Sequence, residues 1–162
     1  SSEACRLPAD VVVESLAVFD ERFDRLWQRQ VSRFGVIGER TGDYLSWRFS
    51  QCPDIKYEIF TLTRRDELLG YVVWYRADGA VCIADMLAGE DSTALLLSEF
   101  TRLARRRKAT AIRLPCFGPP DFYRQLQAAG FSRRKDSCAV LVRMSALADD
   151  WYLTMADHDT DV

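Results

Sequence analysis

Between Lys56 and Ala88 the chain carries three consecutive runs that a sheet accommodates best: KYEIFTL (56–62), LLGYVVWYR (68–76) and AVCIADMLA (80–88), rich in β-branched and aromatic residues. Only the polar TRRDE and the turn signal ADG separate them, so the runs read as an antiparallel meander. The third run passes through AGED into Ser92 to Lys108, whose apolar positions Leu95, Leu96, Phe100, Leu103 and Ala104 mark an amphipathic helix. TAIRLP (110–115) follows as a strand, which makes this strand, helix and strand a parallel crossover.

Upstream, VVVESL (11–16) reads as a strand, and Asp20 as the cap of a helix. In that helix Phe23, Leu26, Trp27, Val31 and Phe34 recur at three- and four-residue spacing. Gly35 and Gly38 break it, and Thr41 or Asp43 caps a shorter helix, DYLSWRFSQ, that Pro53 ends. Downstream, Pro119 and Pro120 open a helix through DFYRQLQAAG that Gly130 stops. FSRR and SCAVLVRM form a closing hairpin around KDS, and the tail ALADDWYLTMADHDTDV has no clear period.

The order β, α, α, β, β, β, α, β, α, β, β specifies an α/β domain with a mixed, largely antiparallel central sheet flanked by helices. At 162 residues one domain is expected, with enough chain to bury a core without disulfides or metals. Its parts are an N-terminal extension (1–10), the domain itself (11–146) and a C-terminal tail (147–162) that packs on it. The opening SSEACRLPAD lacks Met, which reads as a processed chain or a piece of a longer protein.

Charge and cysteine usage remove several function classes. Lys+Arg 22 against Asp+Glu 24 leaves a net charge of -2, and the clusters RRRK (105–108) and SRRK (132–135) read as solvated surface, so no nucleic acid is expected. No apolar run approaches membrane-spanning length, so no membrane is expected either. Cys5, Cys52, Cys82, Cys116 and Cys138 are scattered and odd in number, which reads as buried thiols in a reducing compartment, the cytoplasm. Asp157, Asp159 and Asp161 begin like a calcium loop, but the sixth-place Gly and twelfth-place Glu are absent. With one His and dispersed Cys, no metal site is expected. No GxSxG, Walker loop or dinucleotide fingerprint is present.

This element order, with FYRQLQAAGF before the last hairpin, resembles the GNAT (Gcn5-related N-acetyltransferase) superfamily. YLSWRF, LLGYVV, IADML and WYLTMADHDTD are similar to the C-terminal half of certain bacterial tandem GNAT-like proteins. The resemblance implies a GNAT-like sheet and transfer of an acyl group, acetyl in the first instance, from coenzyme A to an amine. It implies that the strand AVCIADMLA splays from its neighbour to admit pantetheine beside Met86, Leu87 and Ala88. The helix start that follows would hold the pyrophosphate. Here the family's Gly-rich loop is replaced by Gly89, Glu90, Asp91, Ser92 and Thr93.

That replacement is chemically adverse to a diphosphate. Two carboxylates add repulsion, about 1 kcal/mol for each close interaction in water-like surroundings, and fewer glycines limit backbone approach. The ordinary role of Glu90 and Asp91 is to favour the helix dipole by roughly 0.3 to 1 kcal/mol. Ser92 and Thr93 remain as hydroxyl and N–H donors for one phosphate.

Acyl transfer also needs a base and an acid. Asp85 lies on the strand that often carries a carboxylate in the family, and alternation puts Ile83, Asp85 and Leu87 on one face. It reads either as the base or as a carboxylate that only fixes the fold. The family's acid tyrosine stands four residues before the glycine, where this chain has Leu126. Tyr123, one turn earlier, is the candidate acid, with a packing role as the alternative. Tyr44, Trp47 and Phe49 line a substrate groove or cap the core, and Arg48 pairs with a carboxylate, the tail being one source. The chain is thus either an N-acyltransferase domain or a non-catalytic GNAT-like module that serves a homodimer or a second GNAT-like domain.

Overall fold

In the computed structural model of the protein the described residues are 5–134 and 150–157. The elements run Val11–Leu16 (β1), Glu21–Gln30 (α1), Val36–Ile37 (β2), Gly42–Leu45 (α2), Glu58–Arg64 (β3) and Glu67–Ala77 (β4). Ala80–Ala88 (β5), Thr93–Arg106 (α3), Ile112–Arg113 (β6), Pro120–Ala128 (α4) and Trp151–Tyr152 (β7) complete them. The main sheet has the order β1-β3-β4-β5-β6, antiparallel throughout except for the parallel β5–β6 pair. The mixed, largely antiparallel sheet flanked by helices is therefore as the sequence implies.

Local chemistry explains the joints. The β4–β5 turn places both Asp78 (φ 52) and Gly79 (φ 77) in the left-handed region, the two-residue hairpin geometry that suits an Asp-Gly pair. Asp20 caps α1 by accepting the Arg22 backbone N–H at 3.0 Å. Gly130 (φ 93) ends α4, with Gly130 N–H on the Gln127 carbonyl and Phe131 N–H on that of Leu126, the Schellman pattern.

The sheet separates two apolar clusters. Phe60, Val72, Trp74 and Ile83 pack with Leu96 and Phe100 of α3 and with Phe122 and Leu126 of α4. On the other face Tyr71, Val73, Ala84 and Leu87 pack with Phe23 and Leu26 of α1 and Leu45 of α2. Full burial of side chains of this size contributes about 1.5 to 3 kcal/mol each.

Several expectations are corrected. The first helix stops at Gln30 and continues as a tighter turn over Val31–Arg33, leaving Val31 37% exposed instead of in the core. DYLSWRFSQ is one short helix followed by a wider π turn over Ser46–Ser50, a change of winding that periodicity does not reveal. The strand over 110–115 shrinks to Ile112–Arg113. FSRR carries no strand pairing among the described residues, and the rest of the expected hairpin lies outside them. The aperiodic tail forms β7, which pairs in parallel with β2, and a turn over Met155–Asp157. Of the described cysteines only Cys82 is fully buried; Cys52 and Cys116 are half-buried and Cys5 is exposed.

Candidate functional site

All residues of β5 are buried, so its polar groups must be satisfied from within the protein. The β4–β5 register shifts between Val73 and Trp74: Val73 faces Asp85, Trp74 faces Ile83, and Ala84 is the extra residue. Such a bulge reverses the side-chain alternation. Ile83 therefore turns toward α3 with Trp74, while Asp85 and Leu87 turn toward α1, which corrects the expectation that all three share a face.

Asp85 is fully buried. Its Oδ2 accepts the Tyr71 hydroxyl at 2.6 Å, its Oδ1 accepts the Thr154 hydroxyl at 2.6 Å, and the Arg40 Nε lies 3.0 Å from Oδ2. Arg40 is itself fully buried and forks on Asp157, with NH1 to Oδ1 at 2.9 Å and NH2 to Oδ2 at 2.5 Å. Burial acts to discharge Arg40, but the carboxylates of Asp85 and Asp157 outweigh it and hold the guanidinium charged. Burial, reinforced by the Asp85 charge, pushes the Tyr71 phenol well above its ordinary value, so Tyr71 is a donor here. Both Asp85 oxygens are thus engaged by donors, a geometry that fixes strand, loop and tail to one another.

Tyr123 lies elsewhere. It packs against the α3–α4 cluster, its hydroxyl accepts the Gly118 N–H at 3.3 Å, and the Arg133 guanidinium sits 5.1 Å from its ring centre. Asp85 bonds to Tyr71 on the opposite face of the sheet, so the two candidate catalytic residues stand on different faces.

The resemblance directs attention to the edge of β5 that faces β6. These strands pair only through Val81–Ile112 and Cys82–Arg113, so they part before Met86, Leu87 and Ala88 are reached. Beyond that point side chains meet the strand edge. The Tyr152 hydroxyl donates to the Met86 carbonyl, and Arg33 NH1 donates to the Ala88 carbonyl at 2.8 Å. Tyr152 is 2% exposed, set between the rings of Phe34 and Phe122, and burial pushes its phenol well above the ordinary value.

At the start of the following helix, Glu90 and Asp91 are exposed. The Ser92 N–H bonds to the Gly89 carbonyl at 2.9 Å, and the buried Thr93 hydroxyl donates to that same carbonyl at 3.2 Å. The Gly89 N–H bonds to Leu69 O at 3.0 Å. The loop satisfies itself, leaving the Ser92 hydroxyl and the first N–H groups of α3 as its outward donors.

The aromatic motif YLSWRF divides. Phe49 is buried, Trp47 is 57% exposed, and Tyr44 lies 5.7 Å from Trp47 and donates to the Ala156 carbonyl. Phe49 also lines, with Phe19, Tyr57 and Lys56, an open groove of about 390 Å³ beyond the end of β1. Arg48 meets the tail through the Met155 carbonyl at 2.9 Å. The Asp157 carboxylate is held by Arg40, which sequence reasoning missed along with Tyr71, Tyr152 and Thr154. A lone charge between a glycine-broken loop and a helix cap gives no signal of burial.

No protein-family model matches the chain, and no curated protein matches it. Solved structures do. A ribosomal-protein-alanine N-acetyltransferase from Brucella melitensis is similar over 83% of this chain and 99% of its own, with 16% identity and a TM-score of 0.56. A GNAT-family protein from Desulfovibrio desulfuricans is similar over 90% and 99%, with 16% identity and a TM-score of 0.55. The Escherichia coli protein YhhK, solved with coenzyme A bound, is similar over 77% and 93%, with 13% identity and a TM-score of 0.50. The chain has the GNAT fold.

Proposed function

We propose that the chain is an N-acyltransferase domain that takes an acyl group, acetyl in the first instance, from coenzyme A and transfers it to an amine. The observation that carries this reading is the parting of β5 from β6 after Cys82. It leaves a strand edge whose carbonyls at Met86 and Ala88 turn to side-chain partners rather than to β6. In a GNAT fold that edge is suited to the amide groups of pantetheine, with Met86, Leu87 and Ala88 beside it. This reading gives the pyrophosphate the Ser92 hydroxyl and the backbone N–H of Thr93.

In the transfer the amine nitrogen attacks the thioester carbonyl. A C–N bond forms, the C–S bond breaks, the nitrogen gives up a proton and the leaving thiolate takes one. We assign the base to Asp85 and the acid to Tyr123, which stand on opposite faces of the sheet and so serve one thioester only across the gap between β5 and β6. Asp85 can accept that proton only in a form in which its contacts with Thr154 and Arg40 have loosened. The thiols at Cys5, Cys52, Cys82 and Cys116 are free, which suits work in the reducing cytoplasm.

A second reading has its own observation. Both oxygens of Asp85 are occupied and the pyrophosphate loop is acidic, which suits a non-catalytic module supporting a second GNAT-like domain or a homodimer. Release of free coenzyme A thiol from acetyl-CoA, followed across a panel of small amines, aminosugars and peptide N-termini, separates the two. Amine-dependent thiol release that falls at least tenfold in Asp85→Asn supports the enzyme. Binding of acetyl-CoA with no release for any amine supports the module.

A further inference from the structure

We propose that residues 150–157 are an intrachain strap that occupies the acyl-donor groove and must leave before coenzyme A can enter. The inference rests on the donor reading of the β5 edge and adds the control of that same site. Its first ground is position. Tyr152 bonds to Met86 O, beside which pantetheine would lie, and its ring packs between Phe34 and Phe122. The adjoining Leu153 exchanges both backbone bonds with Phe117, at 2.9 and 2.8 Å, just past β6. Trp151 and Tyr152 meanwhile pair with Val36 and Ile37. The strap thus lies between the β2 segment and the Phe117 segment, with Tyr152 reaching β5.

The second ground is that the seat is built for the strap. A Cβ on Gly35 would overlap the Asp150 carboxylate, and one on Gly38 would overlap that of Asp157. Neither glycine has the positive φ that would otherwise call for it. Their role is the space they leave. Beside Gly38 stands Arg40, whose buried guanidinium holds Asp157 on one side and Asp85 on the other.

The third ground is coupling. Thr154 bonds to Asp85 and Arg40 at once, so the docked strap both fills the donor edge and immobilises the candidate base. Leaving removes the Thr154 and Asp157 contacts together. The ligand's apparent affinity is then its intrinsic affinity reduced by the fraction of chains in the open form.

Two variants and one labelling experiment on the full chain test this with coenzyme A as the probe. Gly38→Ala evicts Asp157 from its seat without altering the strap, and Tyr152→Phe removes only the bond to Met86. Each is expected to bind coenzyme A at least tenfold more tightly than the wild type by calorimetry. Coenzyme A is expected to accelerate hydrogen exchange at the Leu153 and Phe117 amides while those of β3 and β4 stay protected. Equal affinity in all three proteins, with Leu153 still protected when coenzyme A is bound, would overturn the strap and leave the donor reading standing. Absence of binding in all three, with Leu153 exchange already fast in a folded Gly38→Ala, would overturn the donor reading and the strap with it.

Discussion

The Tyr152 hydroxyl donates to the Met86 carbonyl across the edge of β5 that β6 leaves uncovered. A residue of the tail therefore satisfies a carbonyl that β6 does not reach. An unsatisfied buried carbonyl costs about 1 to 3 kcal/mol, so something must occupy that position whenever the protein is closed. On the proposed reading, the tail and a bound pantetheine are alternative answers to the same need.

The buried ion pairs at Arg40 lead to a stability prediction. Arg40→Met leaves Asp85 and Asp157 without their counter-charge, and breaking a buried pair from one side costs about 3 to 5 kcal/mol. Urea unfolding is expected to show that loss. Adding Asp85→Asn to the same chain is expected to recover part of it, with a coupling of about 0.5 to 3 kcal/mol. Simple additivity of the two changes would contradict the pairing.

A packing prediction concerns Gly70. It faces Ala88 across the β4–β5 pair, and a Cβ there would come within 2.8 Å of the Ala88 Cβ. Gly70→Ala is expected to destabilise by about 1 to 3 kcal/mol through overpacking. Exchanging the two residues, Gly70→Ala with Ala88→Gly, is expected to restore most of the loss in thermal melts.

Stability should fall on the alkaline side. Tyr71 and Tyr152 are both held well above the ordinary phenol value of 10.0, first by burial and then by the Asp85 charge. The folded state then binds more protons than the unfolded one. Stability from this source is fully present below pH 10 and is lost as pH rises through the folded-state values. Urea midpoints measured from pH 8 upward check this, and Tyr71→Phe is expected to flatten the decline.

A covalent lock extends the test of the strap. Phe117 and Leu153 exchange both backbone bonds, and such a pair holds its Cα atoms about 5.5 Å apart, within the range a disulfide spans. In a Cys116→Ser background, Phe117→Cys with Leu153→Cys is expected to lose at least tenfold in coenzyme A affinity when oxidised. Dithiothreitol is expected to restore it.

The fold was legible wherever local chemistry and tertiary structure agree. VVVESL became β1 at its stated bounds, Asp20 capped α1, and Asp78–Gly79 made the hairpin turn the dipeptide favours. The site was less legible because its decisive features are non-local. The Ala84 bulge, which sends Asp85 and Ile83 to opposite faces, is a matter of register with β4 and leaves no mark on IADML. Arg40 and Asp157 lie 117 positions apart in the sequence, so nothing near either residue announces the pair. Gly35 and Gly38 read as helix breakers, whereas their further role is to leave room for tail carboxylates.

The most direct test of the central claim is a calorimetric titration of the full, folded chain with acetyl-CoA. A single saturable site with a dissociation constant below about 1 mM, a binding free energy beyond about −4 kcal/mol, is the predicted result. No heat at that concentration, in wild type and in Gly38→Ala alike, would contradict it: the gap between β5 and β6 would then belong to the tail alone.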